Sequence, residues 1–518
     1  MSLLNSDDHR NELISLIFRY ASSNEPSRNV NLVLSHTCKR WRAIALNIPF
    51  LWQDVRFTTC LDPEYRWAEA CLQRSSKCLV DVTVTREAVQ FPQPQQPGPS
   101  VKAREGSGDD QESATISLGA NRIVNLLLPE SYRWRKVDID LPNPYLYNLI
   151  HGYFTRVSQP LSPPSPPPSS SSSLTTTNEA TTTATLATSK LTSLSITCDR
   201  SNQLTVPRLQ IPNLNSTPLT RLTLNTINVE WKSWDFPHLT YLELARHERE
   251  SVRPRLNELF HILSNSTLLE ELHFNGSGPC VPDSHDIPPP PSPNSDTPTT
   301  NANSNQVPIV ILPNLHTLSI SRQTSSSDVV SLIHLLRAPT LQSLTLSEWR
   351  DDAYDPAISL LGRSPYTGFP SITYLHIRGI EVSDTTYGMD AFGEFLRSAT
   401  NVTHLFAEMH GMNPLAFLPL TDPAPNLPLP VPKLSCFQVT GPHRACIGRM
   451  VESRMSIGSP VKRLILGRLD TTVTKEFNER LEKMVEEVSY VEPADDDDEA
   501  CEGSEYGEEE EEGSDAEV

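Results

Sequence analysis

A short apolar motif recurs ten times along the chain and constrains the fold more than any other feature of the sequence. In each copy, apolar residues stand at the first, fourth and sixth positions, a pattern that predicts a strand with one apolar face. The copies begin at Leu191, Leu219, Leu239, Leu269, Leu315, Leu341, Ile372, Val402, Leu434 and Val461. Their start-to-start spacings are 28, 20, 30, 46, 26, 31, 30, 32 and 27 residues. Such near-regular spacing is typical of a repeat protein.

Helix-like segments lie between several of these motifs. Two of them place apolar residues three and four positions apart, which puts those residues on one side of a helix. The first stripe consists of Leu256, Leu259, Phe260 and Leu263, and the second of Val329, Leu332, Ile333 and Leu336. Asp328 precedes the second stripe and is expected to cap that helix. The same spacing of apolar residues predicts two more helices, over residues 392–396 and 477–485.

A unit of one strand and one helix is too small to bury its own apolar face, so such units must stack on one another. The series therefore predicts an α/β fold in which residues 191–490 form a parallel, stacked solenoid. The alternative is a two-layer α/β domain. Strands buried on both faces of such a domain would be richer in consecutive Val and Ile than these motifs are.

Four stretches lack the apolar residues needed to offset the entropy of folding and are expected to be disordered. They are residues 90–115, 159–190, 281–306 and 491–518. The regular pattern resumes after each of the first three, so we interpret them as loop insertions rather than polyproline ligands. From position 492 onward the chain has 15 acidic and no basic residues, which accounts for most of its net charge of −20. This acidic tail either favours solubility or docks on a basic partner.

The composition excludes several classes of function. No window of about twenty apolar residues predicts a membrane span, and the first residues do not resemble a secretory signal, so we expect a cytoplasmic or nuclear protein without membrane partners. Outside the tail the charge is nearly balanced, and no basic face predicts binding to nucleic acid. Nine cysteines without a Cys-x-x-Cys pair argue against a disulfide framework or a zinc ribbon. Without a phosphate-binding or nucleophile motif, we expect no enzyme activity, no catalytic residue, no metal and no cofactor.

The N-terminal region has a different pattern. A first amphipathic helix is predicted from apolar residues three and four positions apart. These residues are Leu13, Leu16, Ile17 and Tyr20. A second helix is expected over residues 34–45, and Pro49 prevents its continuation. We expect Trp41 in the core of the helices, Trp52 at the joint to the repeats, and Lys39, Arg40 and Arg42 on a solvated face.

Residues 10–55 are expected to form a small domain of three short helices, and they resemble an F-box. The segment ELISLIF resembles the first helix of that family, and SHTCKRWRAIA resembles its Cys-(Arg/Lys)-x-Trp-Arg signature. The segment IPFLWQDV resembles the Pro-x-Leu-Trp extension that is found in many F-box proteins that carry leucine-rich repeats. The ten strand motifs in turn resemble leucine-rich repeats, although the Asn or Cys that usually follows is not regular. One departure is that His9 and Arg10 stand where the family usually has Leu-Pro.

The resemblance implies a function and a set of partners. An F-box protein of this type is a substrate-recognition subunit of a ubiquitin ligase, which binds a Skp-type adaptor and through it a cullin, and works by proximity without catalysis. The residues that the resemblance assigns to adaptor binding are Leu13, Leu16, Ile17, Leu32, Leu34 and Pro49. The alternative function is a protein-binding scaffold whose helical head only caps the solenoid.

The repeats would then bind the protein target. Alternate residues of each motif point away from the core because side chains in a strand alternate between its faces. In the middle copies these outward positions are mostly Ser and Thr, whereas aromatic and Arg residues, which favour binding hot spots, stand in others. We predict target-binding residues at Tyr241, Tyr374, Arg378 and Phe406. Residues 56–158 connect the two parts and contain two strand-like segments that could be early, irregular repeats.

Overall fold

A computed structural model describes most of the regular sequence. The described residues are 6–24, 30–58, 65–88, 119–141, 149–150, 152–153, 190–198, 208–209, 218–247, 249–280, 309–323, 325–349, 354–362, 369–380, 386–408, 418–421, 427–441, 444–467 and 474–491. The four stretches expected to be disordered lie outside these residues, apart from Lys190 and Val491.

Three helices and one 3-10 turn form the N-terminal head, residues 6–52. The helices are α1 (Ser6–Asn24), α2 (Val30–Thr37) and α3 (Lys39–Leu46), and the turn is Pro49–Trp52. The prediction of one helix over residues 34–45 is wrong, because Cys38 interrupts it: α2 ends at Thr37 and α3 begins at Lys39. This residue is extended (φ −157°, ψ 169°), and its Sγ accepts a hydrogen bond from the backbone N of Trp41, so Cys38 caps α3.

A parallel sheet of 14 strands follows the head. In chain order, the strands of the described residues are β1 (Asp54–Phe57), β2 (Val80–Val84), β3 (Trp134–Leu141), β4 (Ser193–Cys198), β5 (Arg221–Asn225), β6 (Tyr241–Ala245), β7 (Glu271–Asn275), β8 (Val310–Ile311), β9 (Thr317–Ser321), β10 (Leu336–Arg337), β11 (Ser343–Trp349), β12 (Tyr374–Ile380), β13 (His404–Glu408), β14 (Cys436–Thr440), β15 (Arg463–Leu466) and β16 (Glu487–Tyr490). β8 and β10 pair with each other, and the other strands form the large sheet.

The order of strands in the large sheet is the order in which they occur in the chain. Each of the ten motif copies contributes one strand, from β4 to β15. The two strand-like segments of residues 56–158 form β2 and β3, and they pair in parallel with β1 and β4. Equivalent positions stand in register, so that Leu222, Leu242 and Leu272 are direct neighbours on β5, β6 and β7.

Helices cover one face of the sheet. They are α4 (Arg66–Arg74), α5 (Leu256–Asn265), α6 (Ser326–Leu335), α7 (Asp355–Gly362), α8 (Thr386–Ser398), α9 (Leu418–Thr421), α10 (Arg444–Ser456) and α11 (Lys475–Glu482), and residues 119–127 are also helical. Their apolar residues join the buried residues of the strands in one hydrophobic core. The alternate strand residues are half-buried or exposed on the opposite side, which we call the open face. This is the alternation that the sequence predicts.

Three further details differ from the sequence-based expectations. Asp328 does not cap α6, because the N-cap is Ser325 and the Asp328 carboxylate pairs instead with Arg253. Leu336 lies just beyond that helix, in β10. The last helix, α11, ends at Glu482, and the chain then forms β16, which the charged sequence does not suggest. None of the helices in the described part of the chain is long and apolar enough to cross a lipid bilayer.

Candidate functional site

Helix α1 carries apolar residues on two sides. One side faces the head, where Phe18 is fully buried and its ring meets that of Trp41 edge-on, with 5.1 Å between centroids. Ile14 packs against the same core. Arg40 of α3 fixes the helix further, since its Nε and one terminal nitrogen donate to Oδ1 of Asn11 over 3.0 and 2.9 Å. These contacts orient α1 and leave its other side in solvent.

The solvent side of α1 is an apolar stripe. We call it the outer stripe, and it consists of Leu13, Leu16, Ile17 and Tyr20, which are 60, 59, 59 and 71% exposed. Val33 of α2 is exposed to a similar degree. A continuous apolar patch on a helix costs solubility without adding to the core, which makes it a candidate surface for binding another protein.

Three of the six predicted adaptor-binding residues therefore lie on the outer stripe. Leu32 and Pro49 are half-buried, and Leu34 is buried in the core of the head, so it can support the surface but not contact a partner. The prediction omitted Tyr20 and Val33. Tyr20 stands seven positions after Leu13, so helical spacing could have identified it, whereas the exposure of Val33 depends on how α2 packs.

The head is joined firmly to the sheet through Trp52. Its side chain is fully buried, and its Nε1 donates to the carbonyl of Ala45 over 2.9 Å. The guanidinium of Arg74 on α4 lies over the ring at 4.5 Å from a centroid, and the ring of Trp67 meets it edge-on at 5.7 Å. β1 begins two residues later. The tryptophan thus holds the head against the first helix of the sheet region.

A groove lies between the head and the open face of the first strands. It has a volume of about 1180 Å³, which is slightly larger than typical small-molecule sites. Arg19, Ser22, Asn31 and Phe50 belong to its head side. Its floor is formed by outward residues of β1 to β6 in two rows that cross the strands. The first row is Asp54, Asp81, Lys136, Ser193, Arg221 and Tyr241, and the second is Arg56, Thr83, Asp138, Ser195, Thr223 and Glu243.

Hydrogen bonds and ion pairs organise part of this groove. Arg135 donates through two nitrogens to the two carboxylate oxygens of Asp81, over 2.8 and 2.7 Å. The guanidinium of Arg221 lies over the ring of Tyr241 at 3.5 Å from its centroid. The hydroxyl of Tyr241 donates to Glu243 over 2.7 Å, and burial together with this hydrogen bond raises the pKa of Tyr241 to about 12. Tyr241 therefore remains a hydrogen-bond donor at neutral pH.

A second cluster lies on the open face of β12 and β13. The ring of His376 meets that of Phe406 edge-on at 4.1 Å, and Tyr374 stacks with His404 at 6.5 Å. Arg378 and Glu408 form an ion pair of 3.0 Å. Burial, and secondarily the charge of Arg378, lower the pKa of His376 to about 4, so this imidazole is neutral at physiological pH.

The predicted target-binding residues therefore fall into two groups. Tyr374, Arg378 and Phe406 lie together on β12 and β13, but Tyr241 lies in the groove. Tyr241 and Tyr374 occupy the same row four strand steps apart, a distance of about 19 Å. Between them, β7 places Glu271 and His273 next to Tyr241 and Glu243, and β9 and β11 carry the short side chains of Thr317, Ser319, Ser343 and Thr345. The open face thus carries two separate clusters of aromatic and charged residues, one in the groove and one on β12 and β13, with short polar side chains on β9 and β11 between them.

Within the described ranges, no three His, Cys, Asp or Glu side chains are grouped so that they could hold a metal ion. The seven cysteines that the structure describes are thiols and not disulfide partners, and burial raises the pKa of Cys71 to about 12, which keeps that thiol protonated. No protein-family model matches the chain, and no curated protein matches its sequence.

Proposed function

We propose that this protein is a substrate-recognition subunit of a Skp–cullin–F-box type ubiquitin ligase. In this role the head is an F-box that binds a Skp-type adaptor, the sheet region is a leucine-rich-repeat solenoid, and its open face binds the protein target. The protein contributes no catalytic residue and acts by holding the target near the ubiquitin-loaded enzyme.

The observation that carries this proposal is the outer stripe of α1. Leu13, Leu16, Ile17 and Tyr20 are exposed although α1 already packs on the head through Phe18 and Ile14. An apolar stripe at helical spacing that the protein's own core does not use is suited to a helix-packing partner. The sequence resemblance to the F-box assigns adaptor binding to three of the same residues.

The arrangement of the head supports the same role. Because Trp52 packs between the head and α4, the outer stripe is held at a fixed position relative to the first strands of the sheet. A ligase subunit that works by proximity needs such a rigid connection between the adaptor and the bound target. The open face supplies two clusters of aromatic and Arg residues, which are the side chains most often found at binding hot spots.

A scaffold without an adaptor is the alternative, and the burial of Trp52 favours it as well. The head covers the β1 end of the sheet, and the end of a stacked array needs such a cover. In that case the outer stripe would have no Skp-type partner.

Binding of the purified full-length chain to a Skp-type adaptor decides between the two. We expect micromolar or tighter binding, and we expect Leu16→Asp/Ile17→Asp to abolish it because two hot-spot side chains become charged. The control is Leu268→Asp/Ile311→Asp, which changes two apolar residues that are also exposed but lie far from the head in sequence, and this variant should bind normally. Absence of binding by the folded wild-type chain would reject the ligase function in favour of the scaffold.

A further inference from the structure

Next to β4, the floor of the groove carries basic side chains in the first row and an acidic side chain in the second. In the first row, Ser193 of β4 stands between Lys136 of β3 and Arg221 of β5. In the second row, Ser195 of β4 has Asp138 of β3 as its direct neighbour, and Glu243 lies two strands further on. The short serines make β4 a trough. One end of the trough is basic and the other is acidic.

The charged groups at the trough are largely available to a ligand. Among the described residues, neither Lys136 nor Asp138 has an ion-pair partner, and both are exposed. Arg221 lies over Tyr241 and has no carboxylate within 4 Å in the described part of the chain, so its N–H groups can donate to an anion. By contrast, Arg135 and Arg56, which border the same groove, are already paired with Asp81 and Asp54.

The geometry of the two rows matches an extended peptide. Neighbouring strands are about 4.8 Å apart, so the backbone positions of Lys136 and Arg221, one strand to each side of Ser193, are about 10 Å from each other. Both long side chains can therefore reach one anion above Ser193. Ser193 and Ser195 are two residues apart along β4, or about 6.7 Å. Side chains two residues apart on one face of an extended peptide have the same separation.

We propose that the β4 trough binds an extended segment of the target with an anionic side chain above Ser193 and a cationic side chain two residues away above Ser195. The anion lies between Lys136 and Arg221, and the hydroxyl of Ser193 donates to it. The cation lies beside Asp138 and towards Glu243. A carboxylate and a phosphorylated hydroxyl both meet the requirement for the anion. This inference rests on the proposed target-binding role of the open face.

The groove has room for such a segment, and the charges that line it suit an anionic side chain. Its volume of about 1180 Å³ accommodates several residues. Five cationic side chains and four carboxylates line this groove, so its lining does not repel an acidic side chain. Arg19 of α1 is one of the five and borders the groove from the head side.

Fluorescence anisotropy with short labelled peptides tests the proposal on the full-length chain. The probes are Gly/Ser peptides that contain Glu-x-Lys, Lys-x-Glu, phosphoserine-x-Lys, Lys-x-phosphoserine or the neutral Gln-x-Gln. We expect one order of charges to bind about tenfold more tightly than the neutral peptide, and to weaken as salt is added. Tighter binding of the phosphoserine version identifies a phosphorylated segment, and tighter binding of the glutamate version identifies an acidic one.

A charge exchange inside the trough provides the decisive variant. Lys136→Asp/Asp138→Lys keeps the composition and net charge, and changes two exposed residues, but it exchanges the signs of the β3 residues in the two rows. We expect it to remove the preference for the original order of charges in the peptide, because the unchanged Arg221 and Glu243 then oppose the exchanged β3 residues. The matched control is Lys475→Glu/Glu479→Lys, which exchanges an exposed pair on α11 and should leave the preference unchanged. Equal binding of all five peptides, or an unchanged preference in the trough variant, overturns the proposal.

The adaptor assay separates this inference from the proposed function. A chain that binds the Skp-type adaptor but shows no peptide preference loses only the trough as a target site. A chain that prefers one order of charges but does not bind the adaptor keeps the trough and loses the ligase role.

Discussion

The carboxylate of Asp328, in the first turn of α6, is paired with the guanidinium of Arg253, which lies 75 residues earlier in the chain. Both side chains are buried, at 4 and 6% exposure. Arg253 also donates to the backbone carbonyls of Gly278 and Pro279 over 3.2 and 3.1 Å. The pair therefore connects the segments on both sides of the proline-rich stretch 281–306.

Breaking this pair should destabilise the fold severely. Asp328→Ala leaves the Arg253 charge buried without its counter-charge, and we expect a loss of about 3–5 kcal/mol in the free energy of unfolding. Urea denaturation of the full-length chain measures it. The comparison is Glu348→Ala, which removes the partner of the exposed Arg322 and should cost under about 1 kcal/mol. Similar losses in the two variants would show that burial of the pair is unimportant.

Trp52 should determine the stability of the head. Trp52→Ala removes a fully buried indole, its hydrogen bond to Ala45 and its contact with Arg74. We expect a loss of about 3–5 kcal/mol and faster amide hydrogen exchange in α1 to α3. Trp67→Ala is the milder comparison, because that ring is 36% exposed. Unchanged exchange in the head of the Trp52 variant would contradict the role of this side chain as the joint.

Acid should destabilise the protein through His247. This imidazole is completely buried, its Nδ1 is 2.9 Å from Oγ of Ser277, and burial and then the nearby Arg253 lower its pKa to about 4. The unfolded chain has the ordinary pKa of about 6.5 and so binds more protons between these values. Stability is therefore highest above pH 6.5 and falls as the pH decreases towards 4.

A variant isolates this contribution from other titrating groups. Between pH 7.5 and pH 5, protonation of His247 accounts for about 2 kcal/mol of lost unfolding free energy. His247→Asn should reduce the loss over that interval by the same amount, measured by urea denaturation at both pH values. If wild type and variant lose equal stability, His247 has the same pKa in the folded and unfolded protein, which contradicts its buried, neutral state.

Two glycines in helices should respond to alanine in opposite ways. At Gly362, the end of α7, an added Cβ would lie 2.8 Å from the backbone N of Phe395 on α8, so Gly362→Ala must push the two helices apart. We expect a cost of about 1–3 kcal/mol. At Gly448 in α10 the added Cβ would make an ordinary contact of 3.6 Å with Phe477, so Gly448→Ala should add up to ~1 kcal/mol through helix propensity. Thermal melting reports both changes, and a stabilised Gly362→Ala would refute the close approach.

The sheet could be predicted because each strand is specified by the pattern of its own few residues. The two-residue alternation in each motif decides which side chains face the helices, and a shift of one residue would expose every leucine, so strand and register follow from the sequence. β1, β2 and β3 lack the full motif and join the sheet through pairing with their neighbours. β16 follows a charged helix, and its burial is slight, so the pattern of its residues alone does not mark it as a strand.

The functional surfaces depend more on tertiary packing. The sequence shows two sets of apolar residues on α1, but only the position of α3 decides that Phe18 is buried while Leu16 and Ile17 are exposed. Leu34 has the same chemistry as Leu13 and lies in the core. The groove could not be predicted either, because it exists only where the head stands beside the open face. Asp328 resembles a cap in the sequence because nothing local indicates a partner 75 residues away.

Strand order equal to chain order has a consequence for synthesis. In the large sheet each strand pairs with the strand that precedes it in the chain order of that sheet. The strands are therefore synthesised in the order in which they pair. A nascent chain halted midway already holds a paired sheet with one growing edge, and no early strand waits for a distant partner. Elongation and folding can thus advance together from β1 towards β16, one ladder at a time.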